Sequence, residues 1–215
     1  MQAVTRVLAI RHGETDWNRD TRIQGQLDIG LNETGRWQAR RLALALADED
    51  LSAVCSSDLA RAIDTARELA HPRRLQVITD RGLRERGFGT FEGSTFIEIE
   101  ARWPLDAARW RRRDLQFAPG GGETLVDLNA RCIGAATLLA QAHAGQSIAI
   151  VAHGGVLDCL YRAAAHVELD APRSWEVPNA GINRLLYTPQ GFTLVGWGDV
   201  GHLEGHATET SVVET

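Results

Sequence analysis

The 215-residue sequence contains no lysine, so all 23 of its basic residues are arginines. This bias favours rigid salt bridges and anion binding, or it reflects a GC-rich genome. Acidic residues outnumber the arginines, 28 to 23, and give a formal net charge of −5 at pH 7. A net negative charge argues against a surface that binds nucleic acid or anionic membranes. A chain of this kind that binds an anion must therefore cluster its arginines locally.

Cysteine is scarce as well. Cys55, Cys132 and Cys159 lie far apart in the sequence, and none of them has CxxC spacing. An odd number with such spacing predicts neither a disulfide framework nor a metal knuckle, so we expect buried small hydrophobic residues. Long apolar runs are also missing. We therefore expect neither a secretory signal nor a membrane-spanning segment, and we expect a cytoplasmic protein.

Apolar strands alternate with amphipathic helices along the chain, which is long enough for one large domain. The predicted strands span residues 4–10, 53–56, 74–79, 147–152, 182–188 and 192–198. Helices are predicted over residues 32–47, 58–70, 125–142 and 154–166. Asn32 or Thr34 is expected to cap the first helix, and Ser57 or Asp58 the second. This pattern predicts an α/β fold in which a sheet with parallel strands has helical cover.

Two of the predicted strands end on a histidine followed by glycine. Strand 4–10 runs into Arg-His-Gly at residues 11–13, and strand 147–152 runs into His-Gly-Gly at residues 153–155. Open α/β sheets place their chemistry at the carboxyl ends of strands. The two histidines therefore meet if their strands are neighbours, which the sequence alone does not establish. An ordinary strand-end loop with an accidental histidine is the alternative explanation.

Two further charged residues follow predicted strands. Arg61 lies in the first turn of the second helix, where the helix dipole favours anions. Glu85 lies in a glycine-punctuated loop after the third strand. Two imidazoles, two guanidinium groups and one carboxylate suit a dianionic phosphate and a proton donor for its leaving group.

These residues belong to a series of motifs that resembles the histidine phosphatase superfamily, which includes the cofactor-dependent phosphoglycerate mutases. The resemblance covers about residues 4–188, and five blocks in order are far more specific than the Arg-His-Gly triplet alone. The motifs are RHGETDWN at 11–18, QG at 24–25, LNETG at 31–35, SSDLARAIDTA at 56–66, LRERGFG at 83–89, FEG at 91–93, GGET at 121–124 and VAHGG at 151–155.

The resemblance implies the architecture in more detail. It implies one phosphoglycerate mutase-like catalytic domain over residues 1–200, built as a three-layer α/β/α sandwich. The central sheet is mostly parallel, with helices on both faces and a helical lid inserted at about residues 94–118. We expect residues 201–215 to form a loosely ordered tail, in which His202 and His206 have metal-like spacing but no further ligand.

The resemblance also implies a role for each matching residue. His12 is the nucleophile and forms a phosphohistidine through Nε2, while its other ring nitrogen donates to a backbone carbonyl. Arg11, Arg61 and His153 bind the phosphoryl oxygens. Glu85 protonates the leaving oxygen and then activates water. The residues that complete the phosphate site are Asn18, Gln24, Gly25 and Gly154.

The implied partner is a small phosphorylated metabolite, and a homodimer is left open. No metal ion and no other cofactor is implied, because cationic side chains supply the electrostatics.

Four departures from the mutase pattern favour a phosphatase. Phe88 stands where the mutases have Tyr, Phe96 where they have Lys, and Gly155 where they have Asn. Each change removes a polar group that would hold a small phosphorylated carboxylic acid. The segment 93–122 is also shorter than the mutase insertion that guards the site from water.

Other features keep two alternatives open. Glu85-Arg86 resembles a mutase pair, and Arg111 and Arg112 resemble the mutases' substrate-binding arginines or belong to a solvated helix face. A phosphoglycerate mutase therefore remains the second hypothesis, and a non-catalytic module that binds a phosphorylated ligand the third. Four aromatic residues pack as core under the lid or line an apolar leaving-group pocket: Phe88, Trp103, Trp110 and Phe117.

Overall fold

A six-stranded sheet forms the centre of the computed structural model, which describes residues 3–204. The strands are β1 (Thr5–Arg11), β2 (Ala53–Ser56), β3 (Val77–Thr79), β4 (Ser147–Ala152), β5 (Ile182–Thr188) and β6 (Gly191–Asp199). Their order across the sheet is β3-β2-β4-β1-β5-β6. The first four of these run parallel, whereas β5 pairs antiparallel with β1 and β6 pairs antiparallel with β5. The mostly parallel sheet is thereby confirmed.

Helices surround the sheet and connect its parallel strands. Within residues 3–204 the α-helices are α1 (Asp16–Arg19), α2 (Glu33–Ala45), α3 (Ala60–Ala70), α4 (Phe96–Arg102), α5 (Pro104–Arg111), α6 (Leu125–Ala142) and α7 (Gly154–Ala165). Single 3-10 turns span His71–Arg73, Arg81–Leu83, Gly89–Phe91, Pro119–Gly121 and Gly201–Leu203. Asn32 caps α2 as predicted, because its side-chain oxygen accepts from the Gly35 amide at 2.8 Å.

Alternate residues of each central strand face opposite layers. In β1, Val7 and Ala9 join the core formed with α6 and α7, while Leu8 and Ile10 join the core formed with α2 and α3. Burying one large aliphatic side chain contributes about 1.5–3 kcal/mol. Helical layers therefore cover both faces of the sheet, which confirms the three-layer arrangement.

The segment 94–118, predicted to form a lid and called the lid below, contains α4 and α5, which meet at Pro104. Proline occupies the first position of α5, where its missing N–H is not needed, and this ends α4 at Arg102. Beneath the two helices lies a small core of Phe91, Ile99, Ala107 and Phe117, against which Phe88, Trp103 and Trp110 pack. The lid thus has its own apolar core, separate from the two sheet layers.

Two local predictions are wrong at their boundaries. The third strand begins at Val77 rather than at residue 74, because Arg74 adopts a left-handed conformation (φ 55°) after the preceding 3-10 turn. Neither Ser57 nor Asp58 caps α3. The Ala60 amide donates instead to Asp28 Oδ1 at 2.7 Å, and Asp58 forms an ion pair with Arg84 at 2.6 Å.

The last described residues pack against the domain. The turn Gly201–Leu203 places the His202 carbonyl 3.0 Å from Arg41 Nε, which donates to it. Residues 201–203 therefore pack against α2, although we expected them to belong to a loosely ordered tail over residues 201–215. His206 and the other residues from 205 onward lie outside the described residues.

All three cysteines are buried, as predicted. Cys132 on α6 and Cys159 on α7 nevertheless come together across the helix interface, where the hydrogen bond of the Cys159 thiol to Cys132 and burial raise the pKa of Cys159. Their separation in the sequence hides this contact.

Candidate active site

The carboxyl ends of β1 and β4 bring His12 and His153 together. Arg11 pairs with Ala152 in the parallel register, and the His12 amide donates to the Ala152 carbonyl at 3.0 Å. The centroids of the two imidazole rings lie 5.2 Å apart. The strand adjacency that the sequence left open is therefore present.

His12 is fixed in one tautomer. Its Nδ1 lies 2.7 Å from the Gly13 carbonyl, and because a carbonyl only accepts, Nδ1 carries the proton and Nε2 keeps its lone pair. The residue is 3% exposed. Burial, together with the charges of Arg61 and Arg11, holds the pKa of His12 well below its usual value. The ring is neutral at pH 7, which is the form a nucleophilic imidazole needs.

Two guanidinium groups lie beside this ring. Arg61, 1% exposed, donates from Nη1 to the Leu27 carbonyl and from Nη2 to the Gly25 carbonyl, both at 2.8 Å. Arg11 donates from Nη1 to the Val177 carbonyl at 2.6 Å. The buried Nε atoms of both arginines have no acceptor among the described residues. Burial lowers the pKa of Arg61 to about 10, so it remains a cation at pH 7. Buried donors of this kind favour an anionic acceptor.

Glu85 is seated on the first turn of α7. Both of its carboxylate oxygens accept from the Gly155 amide at 3.1 Å, and Oε1 also accepts from the Arg86 amide at 2.8 Å. The positive end of the α7 dipole attracts the carboxylate. A Cβ at position 155 would lie 2.3 Å from Glu85 Oε1. The Glu85 carboxylate can occupy this position only because residue 155 is glycine.

Arg11, His12, Arg61 and Glu85 line one cavity of about 160 Å³. The remaining residues of its wall are Asn18, Arg22, Ile23, Gln24, Gly25 and Phe88. The structure therefore brings together the predicted nucleophile, both predicted arginines, the predicted acid and three of the four predicted phosphate contacts. Gln24 Oε1 is buried without a partner among the described residues, whereas Asn18 Oδ1 accepts from Thr15 at 3.1 Å.

The other two predicted site residues lie next to this cavity rather than in its wall. His153 is fully buried against His12, and neither of its ring nitrogens has a hydrogen-bond partner in the described part of the chain. Burial and the charge of Arg61 hold the pKa of His153 well below its usual value. Gly154 lines a neighbouring chamber, where a Cβ would lie 3.9 Å from Arg11 Nε.

That chamber measures about 550 Å³ and shares Arg11, Glu85 and Phe88 with the first cavity. Its remaining wall consists of Arg86, Trp110, Arg111, Arg113, Leu125, Leu128, Gly154, Gly155, Asp158, Pro172, Arg173 and Val177. Trp110 and Arg111 therefore reach the chamber, whereas Trp103, Phe117 and Arg112 do not line it. Phe88 faces both spaces.

Three charged residues of the chamber were not among the predicted site residues: Arg113, Asp158 and Arg173. Arg113 donates to Asp158 at 2.8 Å and so connects the lid to α7. None of the three lies in a recognisable motif. The placement of Arg173 in the loop between α7 and β5 becomes visible only in the folded chain.

The described residues also set limits on other kinds of site. Within residues 3–204, no three His, Cys, Asp or Glu side chains are grouped closely enough to hold a metal ion. In the same range, no helix is both long and apolar enough to cross a membrane.

Comparison with known proteins identifies the family. The family model of the histidine phosphatase superfamily (branch 1) matches residues 7–200. Phosphoglycerate mutase-like protein 4 of Arabidopsis thaliana is 40% identical over 203 residues, which cover 92% of this chain and 86% of the relative. A metal-independent phosphoserine phosphatase of the same plant is 37% identical over 204 residues, covering 93% and 84%.

The fold agrees with that of a solved structure. Bacillus stearothermophilus YhfR matches with a TM-score of 0.87 at 33% identity, over 93% of this chain and 100% of that structure. The chain therefore belongs to the histidine phosphatase superfamily, branch 1, and is an enzyme of that family.

Proposed function

We propose that this enzyme is a metal-independent phosphomonoesterase that acts through a phosphohistidine on His12. The hydrogen bond from His12 Nδ1 to the Gly13 carbonyl carries the proposal. It leaves Nε2 unprotonated on a buried ring, in the same cavity as two arginines and a carboxylate. A small phosphorylated metabolite acts as substrate, and three free buried cysteines suit a cytoplasmic location.

In the first step, the His12 Nε2 lone pair attacks phosphorus. The bond from phosphorus to the ester oxygen breaks, and that oxygen takes its electron pair and the proton carried by Glu85. Arg11, Arg61 and His153 bind the phosphoryl oxygens and stabilise their charge from fixed positions. Asn18, Gln24 and Gly25 complete the surroundings of the phosphoryl group, and Gly154 lies next to them in the adjoining chamber.

In the second step, water attacks the phosphohistidine. Glu85, now ionised, accepts a proton from the water as its oxygen bonds to phosphorus. The bond between phosphorus and Nε2 breaks, and its electron pair returns to the imidazole. Inorganic phosphate leaves and the starting enzyme is restored.

Three apolar or small residues favour hydrolysis over mutase chemistry. Phe88 lines the cavity, and Phe96 packs against Trp110 with a ring-centroid distance of 5.5 Å. Neither side chain offers a hydrogen bond to hold a phosphorylated acid for a second transfer. Gly155 supplies only its amide, which Glu85 occupies. The phosphoserine phosphatase relative supports the same choice.

Phosphate release in the presence of a chelator tests this function. We expect the wild-type enzyme to release phosphate from 3-phosphoglycerate, phosphoserine or p-nitrophenyl phosphate, and His12→Ala to release none. A second assay adds a trace of 2,3-bisphosphoglycerate to 3-phosphoglycerate. Formation of the 2-isomer without free phosphate would identify a mutase, the alternative that Arg111 in the chamber wall favours. Full activity of His12→Ala would exclude the phosphohistidine route.

A further inference from the structure

The chamber beside the phosphate cavity has the place and size of a leaving-group site. It shares Arg11 and Glu85 with the phosphate cavity, and Glu85 is the residue to which we assign protonation of the ester oxygen. Its volume of about 550 Å³ is more than three times the 160 Å³ of the phosphate cavity. Pockets of this size hold whole small molecules.

Charge distinguishes this chamber from an apolar pocket. Five arginines line it, against two carboxylates, Glu85 and Asp158. Four of these arginines already donate hydrogen bonds within the protein. Arg11 donates to the Val177 carbonyl, and Arg86 donates to the Phe117 and Glu123 carbonyls. Arg111 donates to the Glu100 carboxylate, and Arg113 donates to the Asp158 carboxylate. Arg173 is the exception, since it has no hydrogen bond or ion pair to any residue between 3 and 204.

The loop that carries Arg173 is held in place at several points. Arg162 donates to the Glu168 and Ala171 carbonyls, and Arg113 donates to the Leu169 carbonyl. On the other side of Arg173, the Trp175 ring stacks on Tyr161 at 3.9 Å. Arg173 itself is exposed at the chamber wall. A fixed loop therefore presents an unpaired guanidinium to the chamber, which lowers the entropic cost of using it for binding.

Arg173 is also within electrostatic reach of the phosphate site. Burial lowers the pKa of Arg11, Glu85 opposes that shift, and the charge of Arg173 adds to it. Two nearby cations repel each other, and an anion between or beside them relieves that repulsion.

We propose that Arg173 is a specificity-determining residue that binds a second anionic group on the leaving portion of the substrate. The preferred substrates are phosphomonoesters whose alcohol part carries a carboxylate or another phosphoryl group. This inference rests on the proposed function, because it assigns the chamber to the leaving group of that reaction. Guanidinium groups recognise both kinds of anion through paired N–H donors.

Matched substrate pairs test the assignment. 3-Phosphoglycerate and glycerol 3-phosphate differ by a carboxylate in place of a hydroxymethyl group. Propane-1,3-diol bisphosphate and the monophosphate differ by the second phosphoryl group. We expect the wild type to prefer the acidic member of at least one pair by about tenfold or more in kcat/KM, as loss of a charged hydrogen bond predicts. The pair that shows the preference identifies the anion.

Arg173→Ala should abolish the preference and leave kcat/KM for the neutral member within about twofold of wild type. Arg112→Ala is the matched control, because Arg112 is exposed on the lid and does not line the chamber. It should retain the preference. No preference in the wild type, a preference that survives Arg173→Ala, or an equal loss for both members would overturn the proposal.

Binding measurements test the role of Arg173 independently of whether the enzyme hydrolyses the ester. Calorimetric Kd values for the same pairs are measured with His12→Ala and with His12→Ala/Arg173→Ala. Weaker binding of the acidic ester alone in the double variant supports Arg173 even if no ester is hydrolysed by the wild type. Equal Kd values in both variants contradict the role of Arg173 even if hydrolysis is found.

Discussion

The amide of Gly155 donates to both carboxylate oxygens of Glu85 at 3.1 Å, and the contact depends on the absence of a side chain at residue 155. The first turn of α7 thereby holds Glu85, the proposed proton donor, in the wall of the cavity that contains His12. The Arg86 amide also donates to Glu85 Oε1, at 2.8 Å, so two backbone amides hold the carboxylate.

Gly155→Ala should displace Glu85 and lower kcat on the order of 10², because general acid–base catalysis depends on hydrogen-bond reach. The added Cβ would lie 2.3 Å from Oε1, so the carboxylate must move. Gly134→Ala is the control, since residue 134 on α6 has open space around it. Steady-state kinetics on p-nitrophenyl phosphate and on an alkyl ester checks this. Equal kcat values for Gly155→Ala and wild type would show that Gly155 does not position Glu85 for catalysis.

Arg61→Lys should lower kcat/KM by about 10²–10³, although the charge is kept. The guanidinium donates to the Gly25 and Leu27 carbonyls and still has a further N–H for the phosphoryl group, whereas an ammonium lacks this planar set of donors. Inhibition by inorganic phosphate should weaken in parallel. Arg67→Lys on the same helix provides the control, because its exposed pair with Asp64 lies away from the cavity. If both variants behaved alike, the geometric explanation would fail.

Asp158→Asn should lower the free energy of unfolding by about 3–5 kcal/mol. Asp158 is 5% exposed and accepts from Arg113 at 2.8 Å and from Arg162 at 3.0 Å. The substitution removes the carboxylate charge that compensates the buried Arg162 cation. Urea unfolding measures the change, and Asp64→Asn, at an exposed pair, should cost about 0–1 kcal/mol. A cost below 1 kcal/mol at Asp158 would contradict a structural role for this link.

The buried histidines should make stability fall as the pH is lowered through about 6.5. Burial holds the pKa values of His12 and His153 well below that of an unfolded histidine. Between the folded and unfolded pKa values, the unfolded chain binds more protons, so acid favours unfolding by up to about 1.4 kcal/mol per pH unit and histidine. Urea unfolding at several pH values should show a shallower slope for His153→Asn. As the control, His143→Gln should retain the wild-type slope. A wild-type slope in His153→Asn would show that His153 does not contribute to the pH dependence of stability.

The sequence was sufficient to predict the sheet and the residues at its carboxyl edge. Short apolar runs that stop at glycine define β1 and β4, and the resemblance assigns His12, Arg61 and Glu85 to one site. Adjacency of the histidines could not be read from either strand, because β4 inserts between β1 and β2 through pairings more than 90 residues apart in the chain.

Other contacts escaped prediction for the same physical reason. Asp28 caps α3 across 32 residues, although Ser57 and Asp58 have the better local position. The hydrogen bond from the Gly155 amide to Glu85 joins residues 70 positions apart. Arg173 lies in no motif, and only the packing of its loop against Arg113 and Arg162 brings it to the chamber. Local patterns determine element types, whereas such long-range contacts depend on how the elements pack.

Trapping of the phosphoryl group on His12 tests the central claim most directly. Glu85→Gln keeps a side chain of the same size but cannot accept the proton of water. With p-nitrophenyl phosphate, whose leaving group needs little protonation, the first step should proceed and the second should stall. We predict a burst of nitrophenolate equal to the enzyme concentration and one phosphoryl group on His12, located by mass spectrometry after an alkaline quench. His12→Ala/Glu85→Gln should show neither. Turnover without any phosphoryl group on His12, or with the group on another residue, would contradict the account.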